Sequence, residues 1–151
     1  LKVILEGETV IDEDVIQKNV GISKDFNMFE LSNALAEKNV YKSNLIANHF
    51  AQNPKNYPFI VTLGALYSYY TKLMKYHFYA PNSSENELAR ILGIRAYFLK
   101  DYRVAARNYT KAKLARIFGY LKDYDLRSKG VGNVSISDGE LLKELVFKIL
   151  H

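Results

Sequence analysis

Side chains able to do acid–base, nucleophilic or metal chemistry are sparse in this 151-residue chain. Cysteine is absent, which excludes thiolate catalysis, a disulfide framework and any cysteine-containing zinc site. The three histidines, His49, His77 and His151, lie far apart in sequence. His49 follows Ile46 on an apolar face and His77 sits in the most apolar segment, so both read as core histidines with satisfied rings. Asp12, Glu13 and Asp14 are adjacent. They fan around a helix and suit the dipole of a first turn better than a shared cation. Asp123 and Asp125 are two apart and share no helix face. The one glycine cluster, Gly130-Val131-Gly132, is followed by no Gly-Lys-Ser/Thr, so it reads as a flexible loop rather than a phosphate cradle. A dinucleotide fingerprint is missing, and no serine stands in a nucleophile-elbow context. The expectation is therefore a non-enzyme with no cofactor and no metal.

Charge is the stronger signal. The net charge is +5, unevenly spread: −3 over residues 1–53, +2 over 54–94, +7 over 95–129 and −1 over 130–151. Within the basic stretch, Arg103 and Arg107 are four apart and share a helix face, with Lys100 one step before them. Lys113 and Arg116 share a face of the next helix. Brought together, these five would form a patch for a phosphate backbone or an acidic protein surface. Tyr102, Tyr109 and Tyr120 interleave with them and offer rings for stacking. No recognition-helix motif accompanies the patch, so base readout is not expected. Ordinary solvated faces of two amphipathic helices are the competing account.

The elements that would position these groups are helical almost throughout, since apolar residues recur near every 3.6 positions. The first five residues read as a strand or a helix tail. Helices are expected over 12–20, 27–38, 40–52, 58–79, 84–92, 95–109, 111–126 and 137–151. Asn27/Glu30, Ser84/Glu87 and Ser137/Glu140 have capping-box spacing, and Thr110 is placed to cap its helix. Pro58 suits a first helical position. The 58–79 helix is apolar around most of its circumference, which predicts a central helix packed on several sides. Gly64 within it predicts a close helix crossing. That stretch is interrupted by Thr62, Ser68, Thr71, Lys72, Lys75 and His77, so it is too polar to span a membrane. No basic-then-apolar leader is seen, and a cytoplasmic location is the default. The chain starts at Leu1 rather than Met, consistent with a piece of a longer protein. With 48% hydrophobic and 25% charged residues, the expected class is an all-α bundle of seven to nine helices joined by short turns.

An ordered set of short motifs resembles one family. It runs from Val20-Gly21-Ile22-Ser23-Lys24-Asp25-Phe26-Asn27-Met28-Phe29-Glu30-Leu31 and Asn33-Ala34-Leu35 through Asn53-Pro54-Lys55-Asn56 and Val61-Thr62-Leu63-Gly64-Ala65-Leu66-Tyr67. It continues with Leu92-Gly93-Ile94, Tyr97-Phe98, Ala105-Ala106-Arg107-Asn108-Tyr109 and Asp125-Leu126-Arg127-Ser128-Lys129-Gly130-Val131. It closes on Ser137-Asp138-Gly139-Glu140-Leu141-Leu142-Lys143-Glu144-Leu145. In this order the motifs resemble the delta subunit of the bacterial DNA polymerase III clamp loader, with a Bacteroidetes-like flavour. The resemblance implies residues 1–26 as the remnant of an AAA+ helical lid and 27–151 as a collar-type helical bundle. It implies a non-catalytic structural role: holding the subunit in a pentameric collar while the assembly, part of the DNA-directed DNA polymerase complex, loads the sliding clamp for DNA replication. The implied partners are the gamma/tau and delta prime subunits, with at most indirect or weak DNA contact. The family's own clamp contact lies in an N-terminal module that this chain does not resemble. A helical nucleic-acid-binding module using 95–129 is the alternative, with Lys100, Arg103, Arg107, Lys113 and Arg116 as its contact residues.

Overall fold

The computed structural model describes residues 26–132 and 135–151, and the backbone of two short strands, β1 (Ile4–Leu5) and β2 (Glu8–Thr9). These strands pair antiparallel, with Ile4 opposite Thr9 and Leu5 opposite Glu8. Of the strand-or-helix alternative at the start of the chain, Ile4 and Leu5 take the strand form. The helix expected over 12–20 lies outside the described residues, as does most of the 1–26 lid remnant.

Seven α-helices follow among the described residues, and local side chains fix where most of them start. The Asn27 side-chain oxygen accepts from the Glu30 N–H at 2.9 Å and opens α1 (Met28–Ala36). Asn39, expected only to interrupt, accepts from the Lys42 N–H at 3.0 Å and caps α2 (Val40–Gln52). α3 (Phe59–Tyr79) starts one residue after Pro58, so the proline precedes the helix rather than opening it. Ser84 and Glu87 exchange hydrogen bonds in a full capping box ahead of α4 (Glu85–Leu92), and Gly93 ends α4 in the left-handed region at φ 69°. The helix expected over 95–109 is shorter. Arg95 offers no capping oxygen, the chain tightens into a 3₁₀ turn at Ala96–Phe98, and α5 spans Leu99–Asn108. Thr110 caps α6 (Lys111–Ser128), and Ser137 caps α7 (Asp138–Leu150).

These helices form an all-α bundle around α3, which touches α1, α4, α5, α6 and α7. α2 and α7 make the most extensive pairing, and α6 also packs on α7. The dry centre is built from Leu31, Leu35, Ile46, Leu66, Leu73, Leu114, Ile117 and Leu141, all fully buried. The close approach expected at Gly64 is not there: a Cβ at that position meets nothing within 4 Å. The tight crossing occurs at Gly139, where a Cβ would stand 2.9 Å from the Ala51 Cβ and 3.1 Å from the Ala51 carbonyl oxygen. α7 therefore lies against α2 through a position with no side chain.

A row of tyrosines ties the helices together. Ring centroids of Tyr102 and Tyr69 are 5.5 Å apart, those of Tyr69 and Tyr70 5.1 Å, and those of Tyr70 and Tyr109 5.9 Å. At its end the Tyr109 hydroxyl donates to the Leu35 carbonyl at 2.6 Å, and Asn108 Nδ2 donates to the Ala36 carbonyl at 2.7 Å. The last carbonyls of α1 are thus capped from the end of α5. Burial is the main reason that the hydroxyls of Tyr69, Tyr70, Tyr102 and Tyr109 resist ionisation, with Tyr102 pushed up to about 12. The Tyr70 hydroxyl lies beside that of Tyr109 yet has no hydrogen bond of acceptable geometry.

Candidate functional site

His77 and His49 both pack against side chains or carbonyls of neighbouring segments. His77 Nε2 lies 2.7 Å from the Tyr109 carbonyl, which can only accept, so Nε2 carries the proton. This satisfies the expectation of a hydrogen-bonded core histidine at His77, although the residue is half-buried rather than fully enclosed. His49 is also half-buried, and its ring packs 4.4 Å from Phe26 and 5.5 Å from Tyr57. Among the described residues no group of three or more His, Asp or Glu side chains converges in a way that could hold a metal.

The five basic candidates are divided between two helices, with Lys100, Arg103 and Arg107 on α5 and Lys113 and Arg116 on α6. α5 packs on α1 and α3, whereas α6 packs on α3 and α7. On α5, Lys100 lies over the Tyr97 ring at 4.1 Å, and Arg103 pairs with Glu85 of α4 at 3.5 Å. Arg107 is exposed on the same helix. On α6, Lys113 and Arg116 do come together, and they are joined by a residue that the sequence did not single out, Lys38 from the α1–α2 turn. The Lys113 ammonium is held below the ordinary lysine range by partial burial first, then by the charges of Arg116 and Lys38. Lys113 Nζ donates to the Lys148 carbonyl at 3.0 Å, in the last turn of α7 where carbonyls lack helical partners.

The larger surface feature is apolar. Two adjoining cavities run between α3 and α6. One, of about 650 Å³, is lined by Tyr67, Met74, Phe78, Tyr79 and Phe118, with Thr71 and Lys75 at its rim. The other, of about 490 Å³, is lined by Ile60, Leu63, Gly64, Tyr67, Phe118 and Leu121, with Lys122 and Asp125 beside them. They meet at the edge-to-face contact of Tyr67 and Phe118, whose centroids are 5.7 Å apart. At ~1.5 Å per residue, the groove extends about 28 Å along α3 from Ile60 to Tyr79. Ile60, Tyr67, Phe78 and Tyr79 are each about half exposed, at 53%, 58%, 59% and 48%. α3 is the central helix that its sequence predicts, but one of its faces is uncovered. The open space at Gly64 forms part of the groove floor. A contiguous apolar surface of this kind marks an interaction site far more often than a scattered leucine does.

A smaller cavity of about 330 Å³ lies between α1, α3 and α5, with Met28, Phe29 and Phe98 as its apolar wall and Lys72 and Asp101 at its polar side. No helix among the described residues is long and apolar enough to cross a membrane. No family model, no curated protein and no solved structure matches this chain.

Proposed function

We propose that this chain is a non-catalytic assembly module of a DNA polymerase III-type clamp loader. In this reading it is the collar-type bundle of a delta-like subunit, holding that subunit in a ring of gamma/tau and delta prime partners during clamp loading. The observation that carries the reading is the uncovered α3–α6 groove. Its aromatic floor, Tyr67, Phe78, Tyr79 and Phe118, is of the composition enriched at the centres of protein interfaces. Its length suits a helix from a neighbouring subunit laid alongside α3. The ordered motif resemblance along the chain supplies the identity of the neighbours, and the helical architecture is compatible with it. A location in the cytoplasm belongs to the same reading.

The test is co-purification of the chain with the collar domains of gamma/tau and delta prime subunits, comparing the unaltered protein with Gly64→Lys. Gly64 faces open space, so a lysine there projects into the groove without displacing core atoms. A stable complex that Gly64→Lys abolishes, with helicity unchanged, is the expected result. Failure of the unaltered chain to bind any collar, or binding indifferent to Gly64→Lys, would refute the assignment.

A further inference from the structure

The opposite flank of α6 carries a different surface. Positions 113, 116, 120, 124 and 127 fall on one stripe of this helix, about 180° around the axis from the groove-lining Phe118 and Lys122 at 100° per residue. Cations from α6 and α7 flank the two rings of that stripe, Tyr120 and the fully buried Tyr124. The Lys113 ammonium is 5.8 Å from the Tyr120 centroid, and Lys148 of α7 is 5.5 Å from the same ring. Lys148 is also 5.4 Å from the Tyr124 centroid, and the Arg127 guanidinium lies 5.1 Å from Tyr124 on its other side. Arg116 stands one turn along α6 from Lys113, and Lys38, whose charge acts on Lys113, sits 5.3 Å from the Tyr109 ring.

The cations in this row differ in their neutralisation. Arg127 at its far end is paired with Glu144 at 3.3 Å, and the Tyr124 hydroxyl donates to the same carboxylate. Lys38, Lys113, Arg116 and Lys148 form no ion pair with any described residue. Four like charges gathered from the α1–α2 turn, α6 and α7 repel one another, and among the described residues no carboxylate is ion-paired with any of them. The rings hold the ammonium groups in place by cation–π attraction, so the charges are positioned before any partner arrives.

We infer that Lys38, Lys113, Arg116 and Lys148 form a contact site for the phosphodiester backbone of a nucleic acid, read by charge and not by sequence. A protein partner fits this flank poorly. Interface centres are depleted of lysine, and the rings that could serve as apolar anchors already lie under cations. Ammonium groups around a shared ring act as point charges that suit successive phosphates. The inference is independent of the assembly reading, because the groove occupies the other flank of α6.

The experiment is fluorescence anisotropy of the full chain with a labelled single-stranded DNA of about 20 nucleotides, from ~50 mM salt upward. Four phosphate contacts at about 0.7 each give a log–log salt slope near −3. At ~0.1 M salt each contact supplies about 0.7 log unit, so Arg116→Glu with Lys148→Glu weakens binding about twenty-fivefold or more and brings the slope towards about −1.5. Lys100→Glu with Arg107→Glu, on α5, leaves the affinity within about twofold. Thermal unfolding by circular dichroism, unchanged in both double variants, ties the loss to charge at the site. No binding at ~50 mM salt would overturn the inference. So would an equal loss in the α5 double variant, or displacement of the DNA by polyglutamate as readily as by unlabelled DNA.

Discussion

Gly139→Ala sets two effects of opposite sign against each other. Alanine is the better helix former by about 1 kcal/mol in a helix interior, and by less at the second residue of a helix, where Gly139 stands. Against this, the new methyl would lie 2.9 Å from the Ala51 Cβ, 3.1 Å from the Ala51 carbonyl oxygen and 3.2 Å from its Cα. Two of those three atoms are backbone, so no side-chain rotation relieves the contact, and α7 has to move off α2. Overpacking of this kind costs about 1–3 kcal/mol, which outweighs the propensity gain and leaves a net loss of about 1–2 kcal/mol. For a domain of this size, that corresponds to a fall in Tm of about 3–7 °C. Gly119→Ala is the matched control. It lies mid-helix in α6 with nothing within 4 Å of the new Cβ, so only the propensity term remains. It is expected to gain about 0.5–1 kcal/mol. Urea unfolding followed by far-ultraviolet circular dichroism reads both variants. A Gly139→Ala protein as stable as the unaltered chain would show that α2 and α7 are not locked by this contact, and would refute the reasoning.

The tyrosine row supplies two further predictions. Tyr109→Phe removes the hydroxyl that caps α1 and should cost about 1 kcal/mol. The loss stays near that value because the Leu35 carbonyl keeps the Lys38 N–H at 3.0 Å. Tyr70→Phe deletes a buried hydroxyl that lacks a hydrogen bond and should be neutral or stabilising in the same urea assay. Stability should also fall at alkaline pH. The folded state raises the pKa of Tyr102 from 10.0 to about 12 and moves Tyr69, Tyr70 and Tyr109 in the same direction. The unfolded chain therefore releases these protons first, and the stabilisation of the neutral hydroxyls is complete below pH 10 and lost above it. The slope approaches about 1.4 kcal/mol per pH unit for each tyrosine involved. An absorbance titration should show ionisation of these four buried tyrosines coinciding with loss of helix. Complete ionisation with the helices intact would contradict the assigned burial.

Helix starts were legible from sequence because capping is a local contract between residues three apart. Asn27, Ser84, Thr110 and Ser137 all cap where their spacing predicts, whereas Asn39 caps where a break is expected and α5, without a side-chain cap, starts at Leu99 instead of 95. Contacts between helices are a different matter. Gly64 and Gly139 look alike as single glycines in helical segments, yet one borders an open groove and the other a neighbouring backbone. Periodicity identifies which face of a helix is apolar but not how many neighbours are available to cover it. This is why α3 reads as buried on most sides, while Ile60, Tyr67 and Phe78 remain half exposed.

The basic surface shows the same boundary from the side of function. A count along 95–129 gives every cation equal weight, but their electrostatic effect depends on what the fold sets beside them. Arg103 is matched by Glu85, Arg127 by Glu144 and Lys129 by Asp125, so these contribute little net field. Lys113 and Arg116 have no ion pair among the described residues and gain two allies from outside the stretch, Lys38 and Lys148. Both of those belong to segments whose net charge is negative, so a windowed charge profile hides them. The pairing of Lys113 with Arg116 on one helix face is visible as helical spacing. The flank became a concentrated positive site only when α7 laid Lys148 against Tyr120 and the turn after α1 brought Lys38 within reach of Lys113. A phosphate backbone responds to that three-dimensional concentration of unpaired charge, which makes Arg116 and Lys148 more discriminating positions to reverse than Arg103.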